Sequence, residues 1–131
     1  MGIVEWSNSL YSVKHDEFDQ HHRKLLDFIN DLHDSMMSGK GKETLEKILN
    51  ELRDYTEYHF HAEEQQLKKV NYPDFLIHQR EHQNLIQKLN DLIEDYHNNR
   101  LEVSIETSKF LKEWLFGHIQ GSDKKYVSYL K

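Results

Sequence analysis

The chain has 131 residues, with 17 Lys and Arg against 23 Asp and Glu, and a net charge of −6 when its ten histidines are neutral. Residues 1–131 are therefore expected to form a single domain, and the scattered cations of an acidic chain exclude a nucleic-acid or anionic-membrane partner. The absence of cysteine excludes disulfides, zinc-thiolate sites, iron–sulfur clusters and thiol nucleophiles. No apolar run exceeds three residues, so no membrane span is expected. The start carries no basic leader followed by an apolar stretch, and a cytoplasmic protein is the expectation.

Residues 1–15, with Trp6 and Tyr11, read as an arm laid against a body formed by 16–131. Four segments of helical periodicity follow. The first carries Phe18, His22, Leu25, Ile29, Leu32 and Met36 on one stripe. The second carries Leu45, Ile48, Leu52, Thr56, His59, Glu63 and Leu67. The third carries Phe75, His78, His82, Leu85, Leu89, Leu92 and Tyr96, and the fourth Leu111, Leu115, His118 and Ile119. Breaks fall at GKG near 39–41, NYP at 71–73 and HNNR at 97–100. Four amphipathic helices with short connections predict an all-α fold, an up-down antiparallel four-helix bundle with an N-terminal arm.

Each stripe has a histidine where an apolar residue belongs, and counting from the turns brings these histidines to one level. His22 lies roughly as far before the first turn as His59 lies after it. Glu63 and His82 straddle the second turn in the same way, and His82 and His118 the third. At about 1.5 Å per residue all of them reach one layer. Within HFHAEE, His59 and Glu63 are four apart and share the inward face, whereas His61 is about 200° round and faces outward. Glu64 is off that axis. The same rule pairs His78 with His82 and turns Gln79, Arg80 and Glu81 elsewhere. Asp123 is five residues beyond His118, about 140° away on a regular helix. It reaches the layer if the helix stops at Gly121. Of the adjacent pair, His22 keeps step with Phe18, Leu25 and Ile29, and His21 does not. His15 precedes the first helix, His97 lies at a helix end, and His33, eleven residues beyond His22 and too far for the same site, reads as a packing or hydrogen-bonding residue.

The inventory is thus His22, His59, Glu63, His78, His82, His118 and Asp123. Without a metal such a buried layer would be costly to desolvate. Seven ligands exceed the needs of one ion. Two ions bridged by Glu63 and Asp123 use them fully, and imidazole with carboxylate in a bundle suits an iron or manganese pair. With one further solvent-derived bridging oxygen, an ion with three histidines is six-coordinate and closed. An ion with two is five-coordinate, with room for one small end-on ligand.

The segments VEW near the start, DQHH around His22, HFHAEE, YPDFLIHQREH and WLFGHIQGSDKKY resemble the hemerythrin family, specifically its single-domain bacteriohemerythrins. The resemblance spans nearly the whole chain. One departure is His21, where the family usually has Gln. The resemblance implies two iron ions, with His78, His82 and His118 on the closed one and His22 and His59 on the open one. Glu63, Asp123 and a solvent-derived oxo or hydroxo group would bridge them. It implies reversible, end-on dioxygen binding at the open iron for storage, delivery or sensing. Azide and nitric oxide would be alternative ligands, and an oxygen-consuming enzyme or an electron donor a partner. Leu115, Ile119, Phe60 and Leu25 would wall an apolar ligand pocket near Trp114, with Leu115 facing the gas. A non-catalytic monomer is the expectation; the alternative is a di-iron redox enzyme that reduces nitric oxide or peroxide.

Overall fold

The computed structural model describes residues 4–100 and 104–130. Helix α1 (Asn8–Tyr11) lies within the arm. It is followed by α2 (Asp16–Met37), α3 (Lys42–Lys69), α4 (Phe75–His97) and α5 (Ile105–Gly121). A 3₁₀ segment, Asp123–Tyr129, completes the chain of elements. No strand occurs among the described residues. The long helices α2 to α5 form the four-helix bundle, with α2 packed on α3 and α5, and α3 on α4.

Local chemistry sets the helix ends. Helix α2 begins with Asp16, Glu17 and Asp19 in its first turn, where the helix dipole favours negative charge. The His15 ring caps it, accepting from the Phe18 N–H at 3.3 Å. Helix α5 opens with a capping box between Ser104 and Thr107. Helices α2, α3 and α4 all close by one device, a residue with positive φ just past the C-cap. The three are Gly39 (φ 75°), Asn71 (55°) and Asn99 (60°). In each case the next N–H reaches back a full turn: Lys40 to the Ser35 carbonyl, Tyr72 to that of Leu67, Arg100 to that of Asp95. This is the Schellman closure, and Gly or Asn supplies it at least steric cost.

The arm is tied down. The Asn30 side chain accepts from the Val4 N–H at 3.0 Å and donates to the Val4 carbonyl at 2.8 Å. Tyr11 packs against Phe116, with ring centroids 4.3 Å apart.

The buried side chains fall into two apolar clusters. The larger holds Leu25, Ile29, Leu32, Leu49, Leu52, Leu89, Leu111, Leu115 and Ile119 among others. The smaller, toward the 71–73 turn, holds Val13, Phe18, Leu67, Tyr72 and Tyr126. Between them on every long helix lie buried polar residues: His22, His59, Glu63, His78, His82, His118 and, just past α5, Asp123.

Candidate metal centre

The four helices and the 3₁₀ segment deliver these seven side chains to one place. Helix α2 supplies His22, α3 supplies His59 and Glu63 one turn apart, α4 supplies His78 and His82 one turn apart, and α5 supplies His118. Helix α5 ends at Gly121, the Ser122 N–H caps the His118 carbonyl at 2.7 Å, and the chain tightens into the 3₁₀ segment. That change of pitch brings Asp123 back over the core, 1% exposed.

Their donor atoms form two groups that share both carboxylates. His22, His59, Glu63 and Asp123 make one, and Glu63, His78, His82, His118 and Asp123 the other. Within each group the donor atoms lie within 4.8 Å of one another. Glu63 divides its two oxygens between the groups. Oε1 is 2.7 Å from His78 Nε2 and 2.9 Å from His82 Nε2, whereas Oε2 is 3.3 Å from His59 Nε2. Asp123 does the same. Oδ1 is 3.0 Å from both His78 Nε2 and His118 Nε2, and Oδ2 is 3.3 Å from His22 Nε2. His22 and His59 meet through their Nε2 atoms at 3.0 Å.

These spacings fit a metal pair. Two donors about 2.1 Å from one ion and at right angles stand about 3.0 Å apart. Moreover, His82 Nε2, His118 Nε2 and Asp123 Oδ1 are buried without a hydrogen-bond partner, although a neighbour lies close to each. Buried polar atoms are normally satisfied, and a cation would satisfy these three together. Five imidazoles and two carboxylates suit a first-row ion such as iron.

Burial and charge oppose each other throughout this layer. Burial pushes the His59 pKa down to about 4, even against the Glu63 carboxylate beside it. Burial alone would lower His78 too, but the Asp123 and Glu63 carboxylates close against its ring prevail and raise it to about 10. Burial would raise the Glu63 carboxyl, but the histidines around it, His59 first, hold it well below the usual carboxylate range. Asp123 is lowered likewise: burial and Glu63 oppose ionisation, and His118 and His22 outweigh them.

The sequence model of the hemerythrin HHE cation binding domain matches residues 13–130. The chain belongs to the hemerythrin family. It is 33% identical over 126 residues to a bacteriohemerythrin of Methylococcus capsulatus, covering 96% of this chain and 95% of that one. It is 33% identical over 122 residues to a myohemerythrin of Theromyzon tessulatum, with 93% and 89% covered. The crystal structure of a wild-type hemerythrin superposes with a TM-score of 0.92 at 32% identity, over 98% of both chains.

Around the seven residues, this hemerythrin places others whose roles the helical stripes do not show. His21 is buried, and its Nδ1 meets His59 Nδ1 at 2.8 Å. His82 Nδ1 faces Glu64 Oε2 at 2.8 Å. His118 Nδ1 lies 3.2 Å from Glu81 Oε2, which also accepts from Ser122 Oγ. The hydroxyl of Tyr126, fully buried, donates to Glu63 Oε2 at 2.8 Å. His21, Glu64 and Glu81 sit on flanking helix faces and reach the ligands from the side. Each glutamate adjoins a ligand in sequence, Glu64 after Glu63 and Glu81 before His82, but helical periodicity turns both off the inward face.

Leu25, Leu115, Ile119 and Trp114 are buried in the larger apolar cluster, and the Trp114 indole donates to the Leu85 carbonyl at 3.0 Å. Phe60 lies face to face on the His82 ring, with centroids 3.8 Å apart and planes 4° apart. It therefore stands beside the three-histidine group. His61 is exposed.

Proposed function

We propose that this hemerythrin holds two iron ions and binds dioxygen reversibly at one of them, for storage, delivery or sensing. The observation that carries this reading is the division of Glu63 and Asp123, one oxygen to each histidine group. Two ions bridged by both carboxylates use every donor in the layer. His78, His82 and His118 would complete one ion, and His22 and His59 the other, with a solvent-derived oxo or hydroxo group as a third bridge. The unequal histidine count would give the second ion fewer ligands from the chain than the first. When bound, the pair supplies a reducing centre with room for one small end-on ligand.

The chain's own residues do the rest. Glu64 and Glu81 hold the rings of His82 and His118 with Nε2 toward the centre. Tyr126 fixes one oxygen of Glu63. Leu25, Leu115 and Ile119, all 1% exposed or less, exclude water from the neighbouring core and would keep it from a small ligand held there. Mostly neutral imidazole ligands disfavour high-valent iron, in keeping with binding rather than oxygen cleavage.

The test is anaerobic loading with ferrous iron, two equivalents per chain, then exposure to air. A visible absorption band that appears in air and disappears under argon supports the reading. Direct conversion to a stable ferric form, with donor-dependent turnover of nitric oxide or peroxide, overturns it in favour of a redox enzyme. Leu115→Ala is expected to shorten the lifetime of the air-induced band severalfold, and an unchanged decay rate removes Leu115 from the pocket.

A further inference from the structure

The histidines of the two groups differ in what stands behind them. In the three-histidine group, the outer nitrogens of His82 and His118 face carboxylates, Glu64 at 2.8 Å and Glu81 at 3.2 Å. In the two-histidine group, His59 faces another imidazole, His21, at 2.8 Å. The outer nitrogen of His22 is buried with no hydrogen-bond partner.

The contact between His21 and His59 joins Nδ1 to Nδ1, so one ring donates and the other accepts. With Nε2 of His59 directed at the centre, its proton sits on Nδ1 and His59 is the donor. His21 is then the acceptor, neutral, with its own proton on Nε2. Its place is fixed by packing: it is 6% exposed, edge-on to Tyr55 with centroids 5.9 Å apart and beside Tyr58 at 5.3 Å. The nearest carboxylate on its far side, Glu17 Oε2, is 3.9 Å from Nε2, beyond hydrogen-bond reach.

An acceptor behind a metal-bound imidazole raises its basicity, and a carboxylate does so more than a neutral group. We propose that His21 is a positioning residue for the two-histidine ion: it fixes the ring and tautomer of His59 while leaving His59 a weaker donor than the carboxylate-supported His82 and His118. The chain thereby makes the ligand-binding ion the more electron-poor of the two. This inference rests on the di-iron reading above and adds to it a source of electronic asymmetry.

The test compares His21→Gln, His21→Leu and His21→Glu in the iron-loaded protein, converted to the ferric form and mixed with azide. The readout is the energy of the azide-to-iron absorption band, which a stronger donor at His59 moves higher. His21→Gln keeps a neutral acceptor and should leave the band in place. His21→Glu should move it to higher energy. His21→Leu should move it lower and weaken ferrous binding about 10-fold, the loss typical of a missing outer partner. If the Glu variant fails to fold, the contrast between Leu and Gln still decides. Bands that coincide in Gln and Leu variants of wild-type helicity, with equal iron affinity, overturn the role of His21 alone. A wild-type chain that takes up no iron overturns the di-iron reading and this inference with it.

Discussion

The bundle has two kinds of interior. Below the site, toward the 39–41 turn, Ile29, Leu32, Leu49 and Leu52 fill the space between helices with apolar side chains, each fully buried. One layer away, the same helices and the 3₁₀ segment bury five histidines and two carboxylates. The first interior gains free energy simply by leaving water. The second loses hydration and recovers it only through mutual contacts, some of which stay incomplete. A single fold therefore contains one region that needs nothing further and one whose side chains are arranged around something else.

Removing iron should separate the two most sharply. Loaded and chelated chains are expected to differ in melting temperature by at least about 10 °C, from the linkage of two bound ions to folding. Scanning calorimetry reads this directly, and coincident transitions would mean that the polar layer supports itself. Leu32→Ala probes the other interior. It lies about 15 Å along α2 from His22 and should cost about 2–5 kcal/mol. Chemical denaturation should give that loss equally in loaded and iron-free protein, and the iron stoichiometry should not change. A loss confined to one form would show the two interiors to be coupled.

A pH series on the iron-free chain sharpens the contrast further. His59 has a folded pKa lowered to about 4. Below its ordinary value near 6.5 the unfolded chain takes up the proton first, so stability falls from about pH 6.5 toward 4, by up to about 3 kcal/mol. His78 is raised to about 10. Its contribution is complete below about 6.5 and is lost as pH climbs to 10. Glu63 and Asp123, both lowered, add a further loss under acid, below the ordinary carboxylate range. Urea midpoints should therefore peak near pH 6.5 without iron. A flat profile from 5 to 9 would contradict these assignments. The smallest effect belongs to the arm: Asn30→Ala removes two hydrogen bonds to Val4 and should cost about 1–2 kcal/mol with or without iron.

Much of this was readable in the residues. Apolar spacing gave the four long helices, because a 3.6-residue period leaves one face to bury. The layer of histidines followed from counting back and forward from the turns, since rise per residue is constant. Periodicity says only which face is inward, however, and is blind to side chains that enter from a flank. His21, read as off the stripe, is buried against His59 because its position places it at the seam between α2 and α3. Glu64 and Glu81 reach across to rings of neighbouring helices by length of side chain, which no single-helix pattern encodes. Tyr126 was hidden for a different reason: its alignment depends on a change of helix type after Gly121.

That change has a consequence for how this chain tolerates insertions and deletions. At three residues per turn, positions three apart in the 3₁₀ segment stand one above the other, so Asp123 and Tyr126 present a common edge to Glu63. Adding or removing one residue between them would swing Tyr126 through about 120° and carry its hydroxyl away from the carboxylate. The connection at 39–41 carries no such phase, since nothing in it reaches the centre. Length variation should be accepted there and rejected between residues 122 and 126, within a stretch of chain that looks, at first sight, like an ordinary tail.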